Sequence, residues 1–441
     1  MIKKYYKYKD SGVEWIGEIP EHWKESQFKN FIKLRHGFQF RENDFTDFGI
    51  KIVKITQLHK DGFLDISNCS TIDETRIDSF KDIIIEENDI LMCLTGGTIG
   101  KIIKVGKVTE PLLQNYRVGH FSTINCNVMS NDYLFYLMSS QVILGQILYD
   151  VRETGQPNIG LEDMNRMRIC IPPFPEQHQI VIYLDEKTTF IDTLIEKTQQ
   201  KIDTLKELRS SLINKVVTKG IDPNVEMKDS GVEWIGEIPK HWDCVNTNKI
   251  YNDLGTGTTP TSDNLEYYDE GEFCWVTTTD LNEGIMYDTL TKLTKKCIVE
   301  YPNLRLYPSG SIYISMYGGR IGKIGISTFE SYCNQSVCVL PENDKIIVKF
   351  YYYWFLGFQE LVKNMGRGGG QPNINKDMIK QFPTVKIPKI EQHKIVEYLE
   401  QQTQLIDTSI QKEQLRIEKL KEYRQSLISD VVTGKIKVTY E

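Results

Sequence analysis

The most constraining feature of this chain is a repeat that spans its whole length. Residues 9–20 read KDSGVEWIGEIP, residues 228–239 read the same twelve letters, and a His-Trp pair follows both. Shorter matches return in the same order: TGGTIGK at 95–101 and YGGRIGK at 317–323, GQPNI at 155–159 and 370–374, and EQH at 176–178 and 391–393. The period is too long for a solenoid of short repeats. The sequence therefore predicts two copies of a whole module, with a pseudo-twofold relation if they pack on each other.

Each copy ends in a segment with a seven-residue apolar period. Five heptads in frame are typical of a coiled coil. Prolines 172, 173 and 175, and Pro388 in the second copy, predict where the helices begin. About 43 helical residues give a length of roughly 60 Å. The frame consists of Leu184, Ile191, Thr198, Leu205 and Leu212 with Thr188, Ile195, Ile202, Arg209 and Val216, and of Leu399, Ile406, Glu413, Leu420 and Leu427 with Thr403, Ile410, Ile417, Arg424 and Val431.

These patterns predict an α+β chain of four segments. Residues 1–172 and 222–387 are expected to form two mixed α/β modules, and residues 173–221 and 388–441 two long helices that bury their apolar stripes on each other. Within the modules, strand-like runs at 89–95 and 311–317 lead into Gly-Gly turns. The polar pair Thr198 and Glu413 at the centre of the frame either fixes the register of the helices or faces solvent.

Composition sets limits on partners and location. The net charge of −7 counts against simple DNA binding, since phosphate contacts need basic side chains, unless these gather on one face or a partner supplies them. No run of 18 apolar residues and no signal peptide is visible, so we expect a cytoplasmic protein without membrane contact. Nine cysteines without a C-x-x-C pair indicate buried thiols in a reducing compartment.

The motifs that would carry chemistry are missing or altered. A phosphate-binding loop needs glycine where Thr95 stands and Ser or Thr where Ile102 follows the lysine. The run at 171–174, IPPF, has Ile171 in place of the asparagine that an adenine methyltransferase uses to bind the amino group. The histidines of the EQH and His-Trp blocks are expected to be structural. We therefore predict no catalytic residue and no metal site in this chain.

Taken together, the repeated blocks resemble the type I restriction-modification specificity subunit family. The resemblance rests on DSGVEWIGEIP-x-HW at the start of each half, the GG-x-IGK turn, GQPNI, EQH, and SLI-x-x-VVT at 211–218 and 426–433. It covers essentially the whole chain, with both halves in order. Each short block alone is weak, and their combination in this order is specific.

The resemblance implies a binding scaffold without enzyme activity of its own. Each module would be a target recognition domain that reads one half of a split, asymmetric site in double-stranded DNA. Two long antiparallel helices would set the spacing and dock the partners, with the outer faces of 209–217 and 424–432 as the expected contacts. The partners would be two methylation subunits and motor-nuclease subunits. AdoMet, ATP and Mg would then belong to those subunits, with no cofactor in this chain.

DNA contacts are expected in the stretches that differ between the copies, such as 24–94 and 243–316. Arg or Lys pairs with guanine, Asn or Gln with adenine, and Lys or Arg with phosphate. Lys101, Arg320 and Lys323 are the strongest candidates, because their glycine turns allow close approach to phosphate. The full set is Arg35, Gln39, Arg41, Lys54, Lys101, Asn115, Arg117, Thr258, Thr259, Thr278, Arg320, Lys323, Asn334, Gln335 and Arg367.

Two other classes of function stay open at this point. The first is a coiled-coil interaction scaffold that never reads bases, which the acidic charge favours and the divergent interiors of the two copies disfavour. The second is a fused methyltransferase-nuclease, against which the missing catalytic motifs speak.

Overall fold

The computed structural model describes residues 4–59, 63–154, 158–366 and 373–438. The chain divides into two compact units, one made of residues 1–199 and 415–441 and the other of residues 200–414. Each unit thus contains one repeated module together with parts of both long helices. These units cut across the segment boundaries predicted from the sequence, because the helices are shared between them.

The first module is built on two small sheets. An antiparallel sheet has the strand order β4-β10-β7-β8, and a second sheet has the order β6-β5-β9, in which β5 and β9 run parallel. A ribbon of β3 and β11 closes the module. The elements are β1 (Tyr8–Asp10), β2 (Glu18–Pro20), β3 (Lys24–Gln27), β4 (Ile32–His36), β5 (Ile50–Val53), β6 (Ser70–Ile72), β7 (Ile90–Cys93), β8 (Ile102–Lys104), β9 (Leu112–Gln114), β10 (Val118–Thr123), α1 (Asn131–Ser139), α2 (Gln141–Thr154), α3 (Leu161–Arg166) and β11 (Arg168–Ile171).

The second module repeats this layout. Its main sheet has the order β15-β22-β19-β20-β17, its second sheet the order β18-β16-β21 with β16 and β21 parallel, and β14 pairs with β23. The strands predicted before the Gly-Gly turns are β7 and β19. The elements are β12 (Met227–Asp229), β13 (Glu237–Pro239), β14 (Asp243–Asn246), β15 (Gly255–Thr256), β16 (Phe273–Val276), β17 (Gly284–Met286), β18 (Lys292–Leu293), α5 (Lys295–Glu300), β19 (Ile312–Ser315), β20 (Ile324–Ser327), β21 (Tyr332–Cys333), β22 (Val337–Leu340), α6 (Val348–Gly357), α7 (Gln359–Asn364), α8 (Lys376–Gln381) and β23 (Pro383–Lys386).

The two long helices are α4 (Phe174–Lys219) and α9 (Lys389–Val432). Helix α4 begins one residue before Pro175, which lies in its first turn, where a missing N–H removes no helical bond. All twenty positions of the predicted heptad frame are buried or half-buried. Within the second unit, Lys201 lies 2.5 Å from Glu413 and Arg209 lies 2.9 Å from Asp407, measured between nitrogen and oxygen. As the residue number on α4 rises from 201 to 209, that of its partner on α9 falls from 413 to 407. The helices therefore run antiparallel there, as expected.

Each module's core is completed by the end of the helix that follows the other module. In the first unit, Ile428, Val431 and Val432 are buried in one cluster with Trp23, and the Tyr133 hydroxyl donates to the carbonyl of Val432. In the second unit, Ile213, Val216 and Val217 are buried with Trp242. The apolar side chains of the expected docking segments 209–217 and 424–432 are therefore largely committed to internal packing.

The EQH and His-Trp blocks together fasten each helix to its module. The carboxylate of Glu176 accepts hydrogen bonds from the Trp23 indole at 2.8 Å and lies 2.6 Å from Nε2 of His22. The next residue, Gln177, is fully buried, and its side chain bonds the backbone of Ser130 and Pro172. Buried polar groups need such partners, which explains why these residues return in both copies.

Glycine 434 provides a test of how tightly the helix end seats on the first module. Gly434 and Gly220 have φ of +74° and +71°, but a Cβ on Gly434 would lie 2.4 Å from Pro20, whereas one on Gly220 would lie 3.4 Å from Trp242. We expect Gly220→Ala to lose about 1–2 kcal/mol from left-handed strain alone. Gly434→Ala should lose clearly more, as measured by guanidinium unfolding of the full chain. Equal losses would contradict the tight seating.

Candidate nucleic-acid interface

The loops that hold the DNA candidates of the first module meet at one edge of its sheets. Phe38 bridges Asn115, and the amide of Asn115 donates to the carbonyl of Val53 at 3.0 Å. The amide of Leu94 donates to the carbonyl of Arg117, also at 3.0 Å. These contacts gather segments 37–41, 54–58, 95–101 and 114–117, which we call the loop edge of module one.

The second module builds the matching loop edge from segments 256–259, 277–282, 317–323 and 334–336. The amide of Thr258 donates to the carbonyl of Cys333, and the amide of Asn334 donates to the carbonyl of Val276, both at 3.0 Å. In both modules the asparagine of the GQPNI block forms an isolated β-bridge with the residue before the Gly-Gly turn. Asn158 pairs with Thr95, and Asn373 pairs with Tyr317. Segments distant in sequence therefore converge on one surface in each module.

The three strongest sequence candidates already have protein partners. The Arg320 guanidinium donates to the carbonyls of Thr278 and Leu281 at 2.8 and 2.7 Å and to the Asn282 side chain at 2.8 Å. Lys101 donates to the carbonyl of Leu58 at 2.6 Å, and Lys323 forms an ion pair with Glu283. These cations fasten the glycine turns to neighbouring loops. Their roles in DNA contact stay predictions, because these contacts give each of them a structural task.

Several other candidates also support the loops. Arg35 donates to Gln114 and to the carbonyl of Ile84, both at 3.3 Å. Lys54 donates to Ser70 at 2.6 Å. The carboxamides of Asn115 and Asn334 accept from amides two residues on, at 3.3 and 3.1 Å, which shapes their turns. Thr258 and Thr278 are half-buried.

Five candidates present exposed side chains at the loop edges. Gln39, Arg41 and Arg117 lie on module one, and Thr259 and Gln335 lie on module two. Nε of Arg117 donates to the Tyr116 hydroxyl at 2.7 Å, and its guanidinium lies 5.3 Å from that ring's centroid, which restricts its motion. Arg367 lies outside the described residues. The chemistry of the exposed set differs between the modules, since one is rich in arginine and the other in hydroxyl and amide groups.

Two exposed aromatic side chains at the loop edges were missed by the sequence analysis. Phe38 is 44% exposed and rests on Phe40 and Phe80 at 5.1 Å between ring centroids, and Tyr317 is 43% exposed. A rigid exposed ring beside polar side chains suits contact with a thymine methyl group. The available signal was their place next to residues that differ between the copies.

The buried thiols are poorly suited to nucleophilic chemistry. Burial raises the pKa of Cys170 and of Cys338 to about 12. These thiols stay protonated at neutral pH, and the thiolate is the reactive form. Within the described residues there is no group of three or more His, Cys, Asp or Glu side chains placed to hold a metal ion, and no helix is both long and apolar enough to cross a membrane.

Comparison with known proteins identifies the family. Residues 20–207 and 239–419 each match the family described as "Type I restriction modification DNA specificity domain", which covers most of the chain. The chain therefore belongs to the type I restriction-modification DNA specificity family, as its repeated blocks predicted.

Relatives matched along almost the whole chain agree with this assignment, and a solved structure has a similar fold. The putative type I restriction enzyme MjaX specificity subunit of Methanocaldococcus jannaschii is 25% identical, with 99% of each chain covered. The MjaVIII specificity subunit of the same organism is 26% identical, covering 99% of this chain and 98% of the relative. A chain from a structure that addresses complex assembly and conformational transition of the type I R-M system has a TM-score of 0.69 at 16% identity, covers 94% of this chain and 98% of that one, and so supports the fold.

A substitution at Arg320 distinguishes a structural role of this side chain from a role in DNA contact. Arg320→Ala removes three hydrogen bonds from a charged donor, and we expect a loss of about 1–3 kcal/mol in the stability of the second unit. Amide hydrogen exchange should rise in residues 277–283. Gln335→Ala, an exposed neighbour on the same loop edge, is the control and should leave exchange unchanged. Unaltered exchange in Arg320→Ala would remove the structural role.

Proposed function

We propose that this chain is the DNA-reading subunit of a type I restriction-modification complex, in which each module reads one half of a bipartite, asymmetric site. The observation that carries the proposal is the pair of loop edges. Both modules build the edge from equivalent loops, yet the exposed side chains differ. Two readers of different sequences on one frame need this combination, whereas a plain scaffold has no use for it.

The exposed side chains supply the chemistry that base reading requires. Gln39 and Gln335 carry carboxamides that suit the N6 and N7 edge of adenine, and Arg41 and Arg117 suit guanine or phosphate. The basic side chains at the glycine turns that bond to neighbouring loops, Lys101 among them, would add positive charge without specifying a base. Because the net charge is −7, we expect the partner subunits to supply much of the phosphate contact.

The chain's own part is recognition, and catalysis is assigned to the partner subunits. The protonated thiols and the structural use of the polar motif residues support this division. AdoMet, ATP and Mg would accordingly be held by the partners.

Docking of two methylation subunits is assigned to exposed apolar positions on the long helices. Phe190 on α4 and Leu405 on α9 occupy equivalent places in the two copies and are 62% and 64% exposed. Leu208 and Tyr423 form a second equivalent pair, 54% and 57% exposed. Single exposed apolar residues are common, but the same positions exposed in both copies suit two identical partners.

Mapping of methylated adenines tests the recognition role. The chain is co-expressed with the methylation subunits, and the methylated motif is read from host DNA. A single bipartite motif with a fixed spacer is expected, and exchanging residues 1–170 for those of a relative should change one half only.

Gln39→Ala should relax that same half, by about 1–3 kcal/mol of discrimination at one base, and Gln335→Ala should relax the other. An intact complex without sequence-dependent methylation would leave only the scaffold function.

The stoichiometry of the complex tests the docking positions. A glutamate at Phe190 or Leu405 would bury a charge in an apolar contact, which is strongly unfavourable. Native mass spectrometry should show one methylation subunit with either single variant and none with both. Lys197→Glu, at an exposed position on α4, is the control and should keep two. Retention of two subunits by the double variant would place the docking surface elsewhere.

A further inference from the structure

Both copies build the same cluster where the long helix begins. In the first copy Glu176 joins His22 and Trp23, and in the second Glu391 lies 2.8 Å from Nε2 of His241 and accepts from the Trp242 indole at 2.8 Å. The two clusters therefore have the same donors on the same carboxylate. They differ in what covers them.

In the first copy a tyrosine covers the cluster. The Tyr5 hydroxyl donates to Oε2 of Glu176 at 3.1 Å, and its ring lies 5.9 Å from Trp23 and 5.6 Å from His22 between centroids. The ammonium of Lys437 lies 5.6 Å from the ring centroid. Burial and the neighbouring Glu176 carboxylate raise the pKa of Tyr5, so it remains a hydroxyl donor. The ring is held by a tilted contact with His22, an edge contact with Trp23, a cation and one charged hydrogen bond.

In the second copy the covering tyrosine is missing. Strands β1 and β12 are equivalent and place Asn224 at the position of Tyr5, and Asn224 is exposed. A cavity of about 510 Å³ opens beside the cluster instead. Among the described residues, the Trp242 indole is the one donor to Oε2 of Glu391. The Glu391 side chain is 35% exposed, against 26% for Glu176.

We propose that this cavity binds a tyrosine side chain contributed by another polypeptide, in the way Tyr5 covers the first cluster. The exposed side chain of Ile221 offers an apolar wall in front of the buried Trp242 and Pro239, and the carboxylate of Glu391 offers the acceptor for a phenol hydroxyl. Lys394 lines the cavity as well and supplies a cation for the ring, as Lys437 does in the first copy. The volume lies within the range of about 300–1,000 Å³ common for binding pockets.

The same chemistry excludes other occupants. The Glu391 carboxylate disfavours an acidic side chain or a phosphotyrosine, which would bring like charges together. A phenylalanine fits the walls but leaves Oε2 of Glu391 without its second donor. The cavity lies at the start of α9, and its lining residues fall within 219–225, 239–242 and 391–395, none of which belongs to the loop edge. The proposal is therefore independent of how DNA is read.

A peptide copied from the first copy is the probe. The full chain is labelled with 15N-tryptophan, and the indole signals of Trp242 and Trp23 are assigned with Phe variants. A capped peptide of residues 4–10, in which Phe replaces Tyr6 and Tyr8 so that Tyr5 is its single tyrosine, is then titrated against it. The Trp242 signal should shift saturably while that of Trp23 stays fixed. A peptide with Phe in place of Tyr5 should bind about tenfold more weakly, because a hydrogen bond to a charged acceptor contributes about 1.5 kcal/mol.

Two matched variants reverse the roles of the clusters. Asn224→Tyr should fill the cavity from within the chain, raise the thermal unfolding temperature and abolish the shift of Trp242. Tyr5→Asn should open the first cluster, so that the peptide now shifts Trp23. A Trp242 signal that ignores the peptide, or that responds equally to the Tyr and Phe peptides, overturns the proposal. So does undiminished peptide binding in Asn224→Tyr.

Discussion

The structure depends on the burial of each long helix end in the core of the module that precedes the other helix. Val431 and Val432 lie in the first unit's core, and Val216 and Val217 lie in the second. Full burial of each such side chain contributes about 1.5–3 kcal/mol. The core of the first module is thereby completed by residues that lie hundreds of positions later in the chain. The core of the second module is completed by residues from the other copy of the repeat. The ends of the long helices are therefore part of the two cores.

Because the helix ends pack in the cores and not at the loop edges, the exposed residues of the loop edges can differ between the modules. The Gly-Gly turn, the asparagine of the GQPNI block and the cations at the turns are satisfied by protein partners in both modules. Arg320 and Lys101 hold neighbouring loops in place. Exposed residues such as Gln39 and Gln335 then vary on a frame that does not rely on them. A frame with its own internal hydrogen bonds can change what it recognises without losing its fold.

The repeat also gives an internal comparison that a single module would lack. The first cluster shows what a covered Glu-His-Trp site is like, and the second shows the same site with a cavity beside it. One difference between the two sites is Tyr5 against Asn224. Two copies under the same structural constraints can therefore differ in what they leave available to partners.

The sequence by itself determined the duplication, the family and the long helices. Identical blocks and the heptad frame are local patterns, and every frame position is buried or half-buried. It did not show that the side chain of Phe38 is 44% exposed or that the guanidinium of Arg320 is occupied by protein acceptors. A basic residue beside a glycine turn looks the same whether it meets phosphate or a carbonyl such as that of Thr278. Only the tertiary structure decided which core each helix end enters and which candidate side chains stay exposed, because both depend on contacts between residues far apart in the chain.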